Sequence, residues 1–80
     1  MRVRVKTVLQ GPGPSEAVVS IRTRADREEE VVVHRDQIED DTLQVWPIGE
    51  KEGQFLVELP QESASGNLRL WIDRQQVAVP

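Results

Sequence analysis

The 80-residue chain has no cysteine and no tyrosine, a single histidine, and only three large aromatic residues, Trp46, Phe55 and Trp71. Without cysteine there is no disulfide framework, no thiolate metal site and no cysteine nucleophile. The lone His34 leaves a transition-metal centre short of convergent imidazoles. No apolar run exceeds three residues, as in Val31-Val32-Val33, so no segment reads as a membrane-spanning helix. The opening Met1-Arg2-Val3-Arg4-Val5-Lys6 alternates charge with valine and lacks the apolar core of a signal peptide, which points to a cytoplasmic protein. Helical periodicity is missing throughout.

Valine is what the chain has in quantity, 12 copies against 6 leucines and 4 alanines. A branched Cβ loses rotamer freedom in a helix and packs well on a pleated sheet, so the composition favours strands. Eighty residues fit one domain, 1–80. A domain of this size buries only about 60% of its unfolded surface, so its core is thin unless association supplements it. Charge is uneven. Residues 1–27 carry six basic and two acidic side chains, net +4, and residues 28–80 carry four and twelve, net −8, which sum to the chain's −4. An acidic whole argues against general nucleic-acid binding, though it leaves room for a local cationic footprint.

Period-two alternation predicts six strands: 3–8, 16–24, 28–34, 43–48, 53–59 and 67–73. Gly11-Pro12-Gly13-Pro14 ends the first as a stiff loop and is no phosphate cradle, because proline removes the needed N–H donors. Between the second and third strands, a three-residue loop Ala25-Asp26-Arg27 sets Arg24 opposite Glu28, Arg22 opposite Glu30, Ile21 opposite Val31 and Val19 opposite Val33. That register pairs apolar residues on one face and opposite charges on the other. Val19, Ile21, Val31, Val33, Phe55, Val57, Leu59, Leu68, Leu70 and Ile72 are then the inward set.

A repeat runs through the chain. Val31-Val32-Val33-His34-Arg35-Asp36-Gln37-Ile38 lies over Leu70-Trp71-Ile72-Asp73-Arg74-Gln75-Gln76-Val77 at an offset of 39, Ala17–Ile21 over Phe55–Leu59 at 38, and Val3-x-Val5 over Leu43-x-Val45 at 40. Segments 3–38 and 43–77 therefore read as two pseudo-symmetric three-stranded repeats, with Gln37 and Gln76 bonding backbone amides in matching turns. The ending Leu70-Trp71-Ile72, then Asp73-Arg74-Gln75-Gln76, then Val77 resembles that of SH3-like barrels, where a tight 3₁₀ turn delivers one last apolar residue to the core. The expected fold is all-β: a small five- to six-stranded SH3-like barrel or a compact sandwich.

No acid–base or nucleophile constellation appears, so no catalytic residue, cofactor or metal ligand is assigned. His34 reads as a surface residue, and Asp36 with Glu39-Asp40-Asp41 as a solvated turn lacking calcium-loop spacing. Large apolar residues on outward positions are more telling: Val18, Val32, Trp46, Ile48, Leu56 and Trp71. Such residues mark interfaces, and tryptophan is enriched in binding hot spots. The expected function is a non-enzymatic protein-interaction module that self-associates through this Trp/aliphatic face. The alternative is a single-stranded nucleic-acid-binding barrel using Arg2, Arg4 and Lys6. The third is an enzyme whose site forms only at a subunit interface.

Overall fold

Alternating and valine-rich segments all become extended chain. The computed structural model describes residues 1–24 and 26–78, and within them lie β1 (Arg2–Arg4), β2 (Lys6–Gln10), β3 (Glu16–Arg22), β4 (Glu28–His34), β5 (Ile38–Glu39), β6 (Thr42–Gln44), β7 (Trp46–Lys51), β8 (Gln54–Glu58) and β9 (Arg69–Asp73). Two 3₁₀ turns, Arg35–Gln37 and Arg74–Gln76, follow β4 and β9. The strands form three antiparallel sheets, β1-β6-β5, β2-β3-β4 and β7-β8-β9. Among the described residues no helix is long and apolar enough to cross a membrane.

The architecture is organised by β1 and β6. They pair antiparallel with Val3 opposite Leu43, Arg2 opposite Gln44 and Arg4 opposite Thr42. Beyond this ribbon the Val5 N–H donates to the Asp41 carbonyl (2.9 Å) and the Val45 N–H to the Met1 carbonyl (2.8 Å). Each chain then leaves the ribbon, β2 to pair with β3 and β7 to pair with β8. The first and fourth expected strands are thus each split in two, which raises the strand number above six. None of the three sheets closes into a barrel, so the SH3-like closure is not seen. Strand exchange at Val5 and Val45 interrupts the ladder that closure requires. The ending does follow expectation locally: after the second 3₁₀ turn Val77 bridges Val3 and packs against the core.

Several features of the pairing recur in the two halves. Register slips by one between Thr7 and Leu9 in β2–β3, and between Pro47 and Gly49 in β7–β8, so that Val8 and Ile48 are the bulged residues. The Arg35 N–H donates to the Ser15 carbonyl (2.8 Å) and the Arg74 N–H to the Gly53 carbonyl (3.1 Å). The turns differ in their side chains. The Gln37 Oε1 accepts from the His34 N–H (2.9 Å), as expected, whereas the turn at Arg74–Gln76 has no side-chain cap.

Two hairpins use two-residue turns with both residues at positive φ, Asp40-Asp41 (51° and 57°) and Glu52-Gly53 (52° and 79°). That is the type I′ pattern, whose twist matches the flanking strands. The acidic loop at 39–41 is therefore a hairpin tip. The β3–β4 connection departs from the expected register: Arg22 lies opposite Glu28, Ser20 opposite Glu30, Val19 opposite Val31 and Ala17 opposite Val33. Ala25 of the expected loop lies outside the described residues. The turn is longer than expected, with the Thr23 N–H donating to the Arg27 carbonyl (2.7 Å) and Asp26 at φ 57°. A shift of two residues keeps every side chain on its expected face and changes only its partner, because the side-chain period is two.

Inward residues from all three sheets meet in one core. Val3, Val19, Ile21, Val31, Val33, Leu43, Val45, Val57 and Ile72 are fully buried. Leu59 and Leu70 are also buried, Phe55 packs against the core only partly, and Leu68, expected inside, is 38% exposed. Leu68 precedes β9, where its carbonyl accepts from the Leu59 N–H (2.8 Å).

Candidate interaction surface

The outward residues of β7, β8 and β9 line up in rows fixed by the pairing. Gly49, Leu56 and Trp71 form one row, and Trp46, Glu58 and Arg69 the next. Trp46 is 49% exposed and Ile48, at the bulge beside it, 44%. Leu56 and Trp71 are half-buried. Gly49 leaves a notch at the sheet edge: a Cβ there would make ordinary contact with Leu56 at 3.5 Å. Trp46, Ile48, Leu56 and Trp71 are thus brought together at one sheet.

Trp71 owes its partial burial to its own chain. The Arg24 guanidinium lies over the indole, 5.4 Å from the ring centroid, and the Arg24 N–H donates to the Trp71 carbonyl (3.0 Å). This cation–π contact replaces the Arg24–Glu28 pairing expected from sequence.

Val18 and Val32 lie elsewhere. They are opposite each other on the outer face of β2-β3-β4, in a row completed by Leu9, which is 62% exposed. This second apolar row is the counterpart of Gly49–Leu56–Trp71, with its bulk at the opposite edge.

No family model, curated protein or solved structure matches this chain. The surface chemistry carries the functional argument alone.

Arg2, Arg4 and Lys6 share the outward side of β1–β2, as alternation requires. Arg2 is occupied within the chain, its Nε donating to Thr42 Oγ1 (2.7 Å) and its Nη2 to the carbonyls of Thr42 (3.0 Å) and Gln37 (3.1 Å). Arg4 and Lys6 are exposed. The hairpin tip Glu39-Asp40-Asp41 stands beside them, because Val5 bonds Asp41. His34 is half exposed and acts as a cap, its Nδ1 accepting from the Asp36 N–H (3.4 Å). Among the described residues no three His, Cys, Asp or Glu side chains gather as a metal-ligand group.

One polar cluster was missed from sequence. Glu29 shares the inward parity of Val31 and Val33, so its carboxylate stands at the end of the core. The 59–68 loop folds over it: Ser63 Oγ (3.1 Å), Ser65 Oγ and Asn67 Nδ2 (2.9 Å) all donate to Glu29 Oε1. The Ala64 N–H also donates to the Glu30 carbonyl (2.7 Å). The Ser65 and Asn67 donors, with a smaller contribution from Ser63, hold the Glu29 carboxyl below its usual range against the opposing effect of burial. The signal available in the sequence was the parity of Glu29 together with three small hydroxyl or amide residues in the loop 63–67.

Proposed function

We propose that the chain is a non-enzymatic protein-interaction module whose Trp/aliphatic face, Trp46, Ile48, Leu56 and Trp71, receives another polypeptide. The observation that carries this reading is the grouping of two tryptophans and a leucine on one sheet face, beside a notch left by Gly49. Trp46 at 49% exposure supplies a rigid apolar surface, and covering it yields about 25 cal/mol per Å² of apolar area. Arg24 over Trp71 supplies a polar rim that still has donors to offer.

The same reading takes 3–38 and 43–77 as related units of one compact all-β domain. The matching bulges at Val8 and Ile48 and the reciprocal bonds of Val5 and Val45 support it. The units agree in their inward residues, Val3 with Leu43 and Val5 with Val45. In β1 and the start of β2 they differ in the outward residues, Arg2 with Thr42, Arg4 with Gln44 and Lys6 with Trp46. Divergence of outward residues over a kept apolar side is what specialised surfaces on a shared scaffold require.

Photocrosslinking tests the face. A benzoylphenylalanine in place of Trp46, in cells that make the protein, is expected to give a discrete polypeptide adduct, abolished by Leu56→Glu in the same chain. The same probe in place of the exposed Glu62 is expected to give none. Equal yields at both positions, or no adduct at either, overturn the reading.

A further inference from the structure

The outward side of the central ribbon carries two strips of opposite charge. On one side stands Arg4, with Lys6 following where the chain enters β2, and on the other the hairpin tip Glu39-Asp40-Asp41. The order follows from the register: Arg4 lies opposite Thr42, and Thr42 lies opposite Glu39 on its other side. Arg4 and Glu39 are thus two inter-strand steps apart, about 9.5 Å. Among the described residues no ion pair is formed by Arg4, Lys6, Glu39, Asp40 or Asp41. A groove is lined here by Arg4 and the tip residues Glu39, Asp40 and Asp41 together with Met1, Val5, Val77 and Ala78. Arg2 adds no free cation, since carbonyl and hydroxyl oxygens already hold its guanidinium.

We infer that this groove docks a second copy of the same chain. A surface with adjacent strips of opposite sign is complementary to itself under a twofold rotation. With the axis running along β6, Arg4 of one copy meets Glu39 of its partner, and the reciprocal contact forms at the same time. A polyanion such as single-stranded nucleic acid fits less well, because it meets three carboxylates beside one free cation. A polycation meets the converse conflict. The inference stands independently of the aromatic face. It assigns the self-association expected there to a different surface, which leaves Leu56 and Trp71 of both copies open and makes the dimer bivalent for its partner.

Sedimentation equilibrium at low ionic strength tests it, with circular dichroism to show that each variant is folded. The wild-type chain is expected to be dimeric. Arg4→Glu and Glu39→Arg each set like charges against one another twice, and each is expected to weaken the dimer at least about tenfold. An equimolar mixture of the two variants is expected to form a heterodimer, because each then presents the sign the other lacks. The double variant is expected to dimerise again. Leu56→Glu is expected to leave dimerisation unchanged. A wild-type chain that stays monomeric at its highest soluble concentration overturns the inference, as does a dimer indifferent to both charge reversals. A dimer dissociated by Leu56→Glu and not by the reversals places self-association on the aromatic face and also overturns it.

Discussion

Replacing Glu29 by alanine is expected to loosen the 59–68 loop and to do so in a pH-dependent way. The Glu29 Oε1 accepts from Ser63, Ser65 and Asn67, and Ser63 is 6% exposed. Hydrogen bonds to a charged group contribute about 1.5–3 kcal/mol each, but three donors on one oxygen do not add in full. A loss of about 2 kcal/mol is therefore expected, in a domain whose total stability is about 4–12 kcal/mol. At this size that lowers Tm by about 8–16 °C. The folded carboxyl titrates below its ordinary value. Its contribution is therefore complete above that value and is lost as pH falls through the lower folded pKa. Thermal unfolding followed by circular dichroism at pH 7, 5, 4 and 3 should show a constant wild-type-to-variant gap down to about pH 5, then a narrowing gap. Glu29→Gln keeps an acceptor without the charge, so its own stability should not follow this titration. A gap that is absent at pH 7, or that persists undiminished to pH 3, refutes the reasoning.

Two further outcomes follow from the ribbon and the hairpins. Leu43→Ala removes a fully buried side chain at the crossing of β1 and β6 and should cost about 2–5 kcal/mol in urea unfolding. Gly53→Ala meets nothing within 4 Å but must hold φ at 79°. It should lower the urea midpoint by about 1 kcal/mol equivalent without changing the m-value.

Much of the fold was legible in the sequence because strand parity is a local signal. Val19, Ile21, Val31, Val33, Val57 and Ile72 are buried as alternation demands, and Trp46 and Ile48 are exposed as their opposite parity demands. Pairing partners were less legible. Arg22 meets Glu28 in place of Glu30, since a slip of two residues leaves the inside–outside pattern untouched. Sheet exchange at Val5 and Val45 left no trace, because both are valines in an unbroken alternation and the cause is a contact 40 positions away. Glu29 was hidden for a different reason. Glu28 and Glu30 read as cross-strand partners of Arg24 and Arg22, and although Glu29 between them had inward parity, the donors that meet it arrive only with the loop from 63–67. The surface followed the same division: which residues point outward was readable, but not that Arg24 would roof Trp71 or that Val18 and Val32 would stand on another sheet.

The crossing of β1 and β6 also bears on how the chain reaches its native state. The β3–β4 and β7–β8 hairpins join near neighbours and form without waiting for distant segments. The crossing brings Val3 to Leu43 and needs a loop of 40 residues to close first. Because β1 continues into β2, and β6 into β7, that late step locks both flanking sheets at once. Neither sheet can then open without straining a strand it shares with the centre. Amide exchange at Val5 and Val45 should accordingly report opening of the whole molecule, whereas the tips at 40–41 and 52–53 exchange by local fraying.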